Sequence, residues 1–156
     1  MKIKERKHRL SREAYKGRVR YAFTICVHNK GTLFVSDHIF HTLEDMLLDA
    51  LVKSNCDAHI YLFMPDHGHL LIEGKLEESD LWNCVVDFKR KSGFWLARNH
   101  LLEEWQKDFY DHILRKDEDL IKQVRYILGN PVRKGLVEDW KAYPYKGSTL
   151  YDFDQW

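Results

Sequence analysis

The chain has 156 residues, of which 44 % are apolar, 31 % charged and 13 % aromatic. That is one domain with a buried core, and it excludes both a disordered chain and a comfortable pair of domains. No apolar run approaches the roughly 20 residues that cross a bilayer, and the N-terminus, charged from Lys2 onward, shows no apolar signal core.

The net charge of +1 says little about partners, but its distribution is uneven. Residues 1–20 hold nine Lys and Arg against two Glu, a local +7 that leaves −6 for the remaining 136 residues. A basic arm ahead of a mildly acidic body can track a phosphate backbone, and is equally what a solvated terminus looks like. Cys26, Cys56 and Cys84 are odd in number and form no CxxC pair, which argues against a disulfide framework and a thiolate zinc site. A reducing, cytoplasmic compartment is expected. The organisation expected is a basic arm over 1–20, one domain over 21–150 and a short tail over 151–156.

In chain order, Tyr21–His28 is rich in aromatic and β-branched residues and predicts a strand, closed by the turn Asn29-Lys30-Gly31. Ile39–Ser54 places Leu43, Leu47, Leu48 and Leu51 at helical spacing, with Asp37 as candidate N-cap. Ala58–Met64 predicts a second strand, Pro65-Asp66 a break, and His67–Glu73 a third strand that completes a hairpin. Ser79–Asn99 predicts a helix with Leu81, Val85, Phe88 and Leu96 on one side. Trp105–Leu114 suggests a short fourth strand, and Asp117–Gly129 a third helix striped by Leu120, Val124, Ile127 and Leu128. The order strand, helix, strand, strand, helix, strand, helix is the split βαβ pattern: an α+β, ferredoxin-like fold with helices packed on one face of an antiparallel sheet.

Two local features carry chemistry. In Met64-Pro65-Asp66-His67-Gly68-His69-Leu70-Leu71-Ile72 the period of two puts His67 and His69 on one face of a strand. Neutral imidazole is a common metal ligand, so the pair forms half of a coordination shell; alone, it is a weak signal. In Tyr126-Ile127-Leu128-Gly129-Asn130-Pro131, Tyr126 and Asn130 are four apart and share a helical face. An amide oxygen can complete a metal shell, and a tyrosine beside a metal can attack a bound electrophile. Gly-Asn-Pro is also simply how a helix ends.

Together, MPDHGHLLI, WQKDFYDHILR (Trp105–Arg115) and YILGNPVRKGLV (Tyr126–Val137), in this order, resemble the single-tyrosine HUH transposases, with the REP-associated tyrosine transposases as the most similar branch. The resemblance spans about Tyr21 to Ser148. It implies that His67 and His69 are metal ligands, that Tyr126 is the nucleophile and that Asn130 is the third ligand. It further implies Mg²⁺ or Mn²⁺ as cofactor, and cleavage and rejoining of single-stranded DNA beside a hairpin, through a 5′-phosphotyrosine, by a homodimer. Two imidazoles suit Mn²⁺ better than Mg²⁺. Metal binding needs neutral imidazoles, so activity is expected to fall below about pH 6.5.

This chain departs from the family pattern at Gly68, where a hydrophobic residue normally anchors the strand, and by ending soon after Tyr143-Pro144-Tyr145, where some relatives carry a tail for sequence recognition. Lys89, Arg90, Lys91, Arg115, Arg133 and Lys134 are candidate phosphate contacts, with a solvated helix face as the plain reading of the Lys89 cluster. Asp111 and His112 are candidates to orient site groups. Core and dimer packing is the simpler role for the late aromatics, which could also stack on bases. The competing functions are a hairpin-DNA-binding protein of the same fold that no longer cleaves, an RNA-binding module and a replication-initiator nickase.

Overall fold

The computed structural model describes residues 11–34, 36–115 and 119–156. Its strands are β1 (Arg20–Cys26), β2 (Cys56–Met64), β3 (His67–Gly74), β4 (Tyr110–Ile113) and β5 (Lys146–Gly147). Its α-helices are α1 (Asp37–Lys53), α2 (Leu81–Arg98), α3 (Leu120–Leu128) and the single turn α4 (Asn130–Arg133). The five strands form one sheet in the order β4-β1-β3-β2-β5, and every pairing is antiparallel. β3, lying between β1 and β2, splits the first βαβ unit, as the element order predicts.

Strand alternation sorts the core into two layers. Tyr21, Phe23, Ile25, Phe63, Leu70 and Ile72 face α1 and α2, which contribute Phe40, Leu43, Leu47, Leu51, Val85, Phe88 and Leu96. Ile60, Leu62, Met64 and Leu71 face the other way, against Val124, Ile127 and Leu128 of α3. Helices on one face is thus right for α1 and α2, while α3 covers the opposite face. The stripe on α3 reveals an amphipathic helix but not which side of the sheet it covers.

Several boundaries move for local reasons. The N-cap of α1 is Ser36 rather than Asp37; Asp37 sits in the first turn, where a carboxylate complements the helix dipole. α2 is capped by Asp80, which accepts from the Asn83 N–H at 2.9 Å. The fourth strand is short: Trp105 makes only an isolated bridge to Val27, and Phe109 turns into the first layer. α3 begins after the cap Asp119, and its expected start at Asp117 lies outside the described residues.

Gly68 faces the first layer, where an added Cβ would sit 2.6 Å from the Phe63 ring. Phe63 thus fills the place where the family pattern has a hydrophobic side chain. Residues 1–10 of the expected arm lie outside the described residues, whereas 11–20 are folded. Tyr15 there is fully buried, and its hydroxyl donates to Asp111 at 2.7 Å. The expected tail is folded too: Phe153 is buried, and Tyr151 and Trp156 pack beside it on the α3 side. Among the described residues, no helix is long and apolar enough to cross a membrane.

Candidate active site

The site is built on the α3 side of β3. His67 and His69 share this face with Leu71, and their Nε2 atoms converge to 3.1 Å. Each ring is held from behind. His67 Nδ1 lies 2.6 Å from Asp66 Oδ1, and His69 Nδ1 lies 3.4 Å from the Thr24 hydroxyl. A carboxylate only accepts, so the proton of His67 is on Nδ1 and its Nε2 presents a lone pair. His69 has two options: Nε2–H donating to His67, or Nδ1–H donating to Thr24. The second aims both Nε2 lone pairs at one point. Burial, then the neighbouring charges of His67 and Arg133, push the His69 pKa down to about 3.

The register explains the cavity beside the pair. Thr24 lies opposite His69 on one side and Tyr110 on the other, and Ala22 lies opposite His112. His69, Thr24, Tyr110 and His112, with Gln123 and Tyr126 of α3, line a cavity of about 280 Å³. Tyr126 is 58 % exposed, off the buried stripe of its helix. The chain passes from α3 through Gly129, which keeps right-handed helical angles, so Asn130 follows Tyr126 by about one turn. Arg133 then folds back. Its guanidinium lies 4.0 Å from the centre of the Tyr126 ring and donates to both the Tyr126 carbonyl and Asn130 Oδ1. An added Cβ at Gly129 would meet this guanidinium at 2.7 Å, so the glycine leaves it room.

The other candidates separate. Lys89 donates to the carbonyls of Gln106 (2.7 Å), Lys107 and Asp108 (both 3.2 Å), fastening the segment before β4. Arg90 pairs with Asp87, and Lys91 with Asp49 and Asp87, on the outer faces of α1 and α2. This cluster belongs to the helices on the far face of the sheet, not to the histidine side. Asp111 lines the cavity wall, but its Oδ2 turns to the far face, where it accepts a hydrogen bond from the Tyr15 hydroxyl. His112 does face the cavity. Lys134 is exposed at the end of α4. Arg115 lies away from the histidines, at another cavity.

Asp66, Thr24 and Gln123 are site residues that the sequence does not single out. Asp66 was readable only as a strand breaker, although its place beside His67 was a usable signal. Thr24 becomes visible only once β1 and β3 are in register. Among the described residues no three His, Cys, Asp or Glu side chains cluster in a way that could hold a metal.

The sequence matches the family described as "Transposase IS200 like" over residues 15–128, which include His67, His69 and Tyr126 and stop two residues short of Asn130. It is 28 % identical over 130 residues to the REP-associated tyrosine transposase of Escherichia coli K12, covering 79 % of this chain and 72 % of the relative. It is 29 % identical over 143 residues to a Haemophilus influenzae protein that bears the same name provisionally, covering 80 % and 77 %. In fold it is similar to a solved REP-associated tyrosine transposase bound to a REP hairpin, with a TM-score of 0.74 at 19 % identity over 92 % of this chain and 82 % of that one. With that family matched over most of its length, the chain belongs to the IS200-like transposases.

Proposed function

We propose that this protein is a metal-dependent single-strand DNA endonuclease and strand transferase, acting beside DNA hairpins through a 5′-phosphotyrosine. The observation that carries the reading is the meeting of His69, whose Nε2 converges with that of His67, and the exposed Tyr126 around one cavity. Hairpin DNA as substrate is supported by the similar fold that carries a REP hairpin.

The donor set fits a divalent cation. Metal–imidazole bonds of about 2.1 Å at right angles put two ligand nitrogens about 3 Å apart, and His67 and His69 hold theirs at 3.1 Å. Asn130 supplies an oxygen, and Mg²⁺ or Mn²⁺ suits such a mixed set. When bound, the cation polarises the scissile phosphate. Asp66 would hold the His67 imidazole in the ligating tautomer, and Thr24, by accepting from Nδ1–H, would do the same for His69. Tyr126 Oη gives up its proton and forms a bond to phosphorus; the bond to the 3′-oxygen breaks, and that oxygen leaves as a 3′-hydroxyl after taking a proton. The phosphotyrosine keeps the bond energy, so a second 3′-hydroxyl reverses the step and joins strands. The homodimer belongs to the same proposal and is read by sedimentation.

The test is a denaturing gel of protein incubated with single-stranded hairpin DNA and Mn²⁺. A covalent adduct that disappears in Tyr126→Phe and His67→Ala is the expected result. Hairpin binding without adduct would establish the non-cleaving binder instead.

A further inference from the structure

A second cavity, of about 590 Å³, opens at the other end of the sheet between the start of β1 and the end of β4. Arg18, Arg20 and Arg115 line it, with Glu73 as the one carboxylate among its described lining residues. Glu73 is already engaged. Its Oε1 accepts from Arg20 Nε at 2.8 Å, and its Oε2 lies 2.7 Å from His59 Nε2. His59 is only 4 % exposed, and its Nδ1 lies 2.6 Å from the Tyr151 hydroxyl. The register of β2 slips between Ala58 and Ile60, and this bulge turns His59 toward Glu73.

This arrangement goes beyond what packing requires. Glu73, held from behind by the buried His59, grips Arg20 through Nε, and among the described residues both terminal nitrogens of the Arg20 fork stay open to an oxyanion. Arg18 and Arg115 are exposed beside it. Three guanidinium groups around one committed carboxylate leave an excess of positive charge in a concave site. Glu73 alternates along β3 with Leu71, His69 and His67, so the cavity and the histidine pair lie on the same face. Glu73 lies four strand residues from His69 and six from His67, roughly 13–20 Å, or about four to six stacked nucleotides.

We propose that the Arg18–Arg20–Arg115 cavity is a second phosphate-binding site, which holds the backbone of the single-stranded DNA substrate about four to six stacked nucleotides from the histidine pair. This rests on the function proposed above. The site grips the strand without reading its bases, because guanidinium groups address phosphate oxygens.

The probe is a fluorescein-labelled thymidine oligonucleotide of about sixteen nucleotides, long enough to reach both sites, followed by anisotropy across a salt series. Arg18→Ala/Arg115→Ala changes two exposed side chains and leaves the core intact. Its expected effect is a fall of about tenfold or more in affinity, with the salt slope reduced by about 0.7 for each phosphate that is no longer neutralised. Arg20→Lys keeps the charge, loses the fork and is expected to fall between. Mn²⁺ binding by calorimetry should stay unchanged in the double variant. Oligonucleotide affinity equal to wild type in that variant would overturn the proposal. So would loss of inorganic phosphate binding alone, which would assign the cavity to free phosphate. The Tyr126 adduct reads the cleavage reaction separately. An adduct without arginine-dependent binding refutes only this site, and arginine-dependent binding without an adduct refutes only the nuclease reading.

Discussion

Arg133 stacks its guanidinium 4.0 Å over the centre of the Tyr126 ring. The same group donates to Asn130 Oδ1. One cation thus touches both the proposed nucleophile and the proposed third metal ligand, and its charge also acts on His69. Such a group can hold the tyrosine ring in place and receive a phosphate oxygen. Arg133→Ala is therefore expected to slow adduct formation by about 10²-fold, in the range seen when one charge-stabilising group is removed. Arg133→Lys should recover only part, because an ammonium can neither fork nor stack as a guanidinium does. Single-turnover adduct rates test both.

His69 gives a pH prediction with a definite sign. Burial and nearby positive charge lower its folded pKa to about 3, against an unperturbed value of 6.5. The unfolded chain therefore binds the proton first. The stability this neutral histidine contributes is complete above the unfolded value and is lost as pH falls toward the folded one. By pH 5 the loss is about 2 kcal/mol at 1.36 kcal/mol per unit. Denaturant midpoints at neutral pH and at pH 5 should show a drop in wild type that shrinks in His69→Asn. In metal-free protein the His69 ring resonances should stay flat from neutral pH to about pH 5. A midpoint near the unperturbed value would show that the ring is not held neutral.

Gly68 is a packing requirement. An added Cβ would press on Phe63 at 2.6 Å, and Ile25 lies 3.3 Å away on the same side. Gly68→Ala is expected to cost about 1–3 kcal/mol through overpacking. Phe63→Leu removes the ring that the methyl meets, so the double variant should lose less than the sum of the singles, by at least about 0.5 kcal/mol. Thermal unfolding of the four proteins closes the cycle.

The strands and long helices were legible because their periods are intrinsic: alternation puts His67 and His69 on one face whatever surrounds them. What was hidden depends on pairing between distant segments. Thr24 reaches His69 only through the β1–β3 register, and α3 could have covered either face until Ile60, Leu62 and Leu71 were seen to meet it. The bulge that turns His59 inward and the return of Arg133 onto Tyr126 leave no periodic trace. The basic run Lys89-Arg90-Lys91 is opaque for the converse reason: composition shows charge, not its partners, and here these include carbonyls and helix carboxylates.

Lys89 therefore carries a stability prediction. Its ammonium gathers three backbone carbonyls from the segment leading into β4 and lies 5.4 Å from the centre of the Phe109 ring. Lys89→Met keeps much of the stem and leaves those carbonyls without their charged donor. The expected loss is about 1.5–3 kcal/mol, the range for hydrogen bonds to a charged group. Arg90→Ala, in an exposed i,i+3 pair with Asp87, should stay within about 0.5 kcal/mol of wild type. Equal effects of the two in thermal unfolding would show that the carbonyl hydrogen bonds contribute nothing.

Asp66 provides the sharpest test of the metal reading without DNA. Its carboxylate lies 2.6 Å from His67 Nδ1, and that hydrogen bond fixes which nitrogen keeps the lone pair. Asp66→Asn lets the ring adopt the other tautomer and turn. Removing such an outer partner of a ligating histidine usually weakens metal binding by about 10–100-fold. Thr24→Val, which removes the longer 3.4 Å interaction with His69, should weaken it less. Mn²⁺ titration by calorimetry, with His67→Ala as the reference for a missing ligand, ranks the three. An Asp66→Asn affinity equal to wild type would show that the carboxylate does not set the tautomer. Wild-type affinity in His67→Ala would remove the cation from this pair altogether.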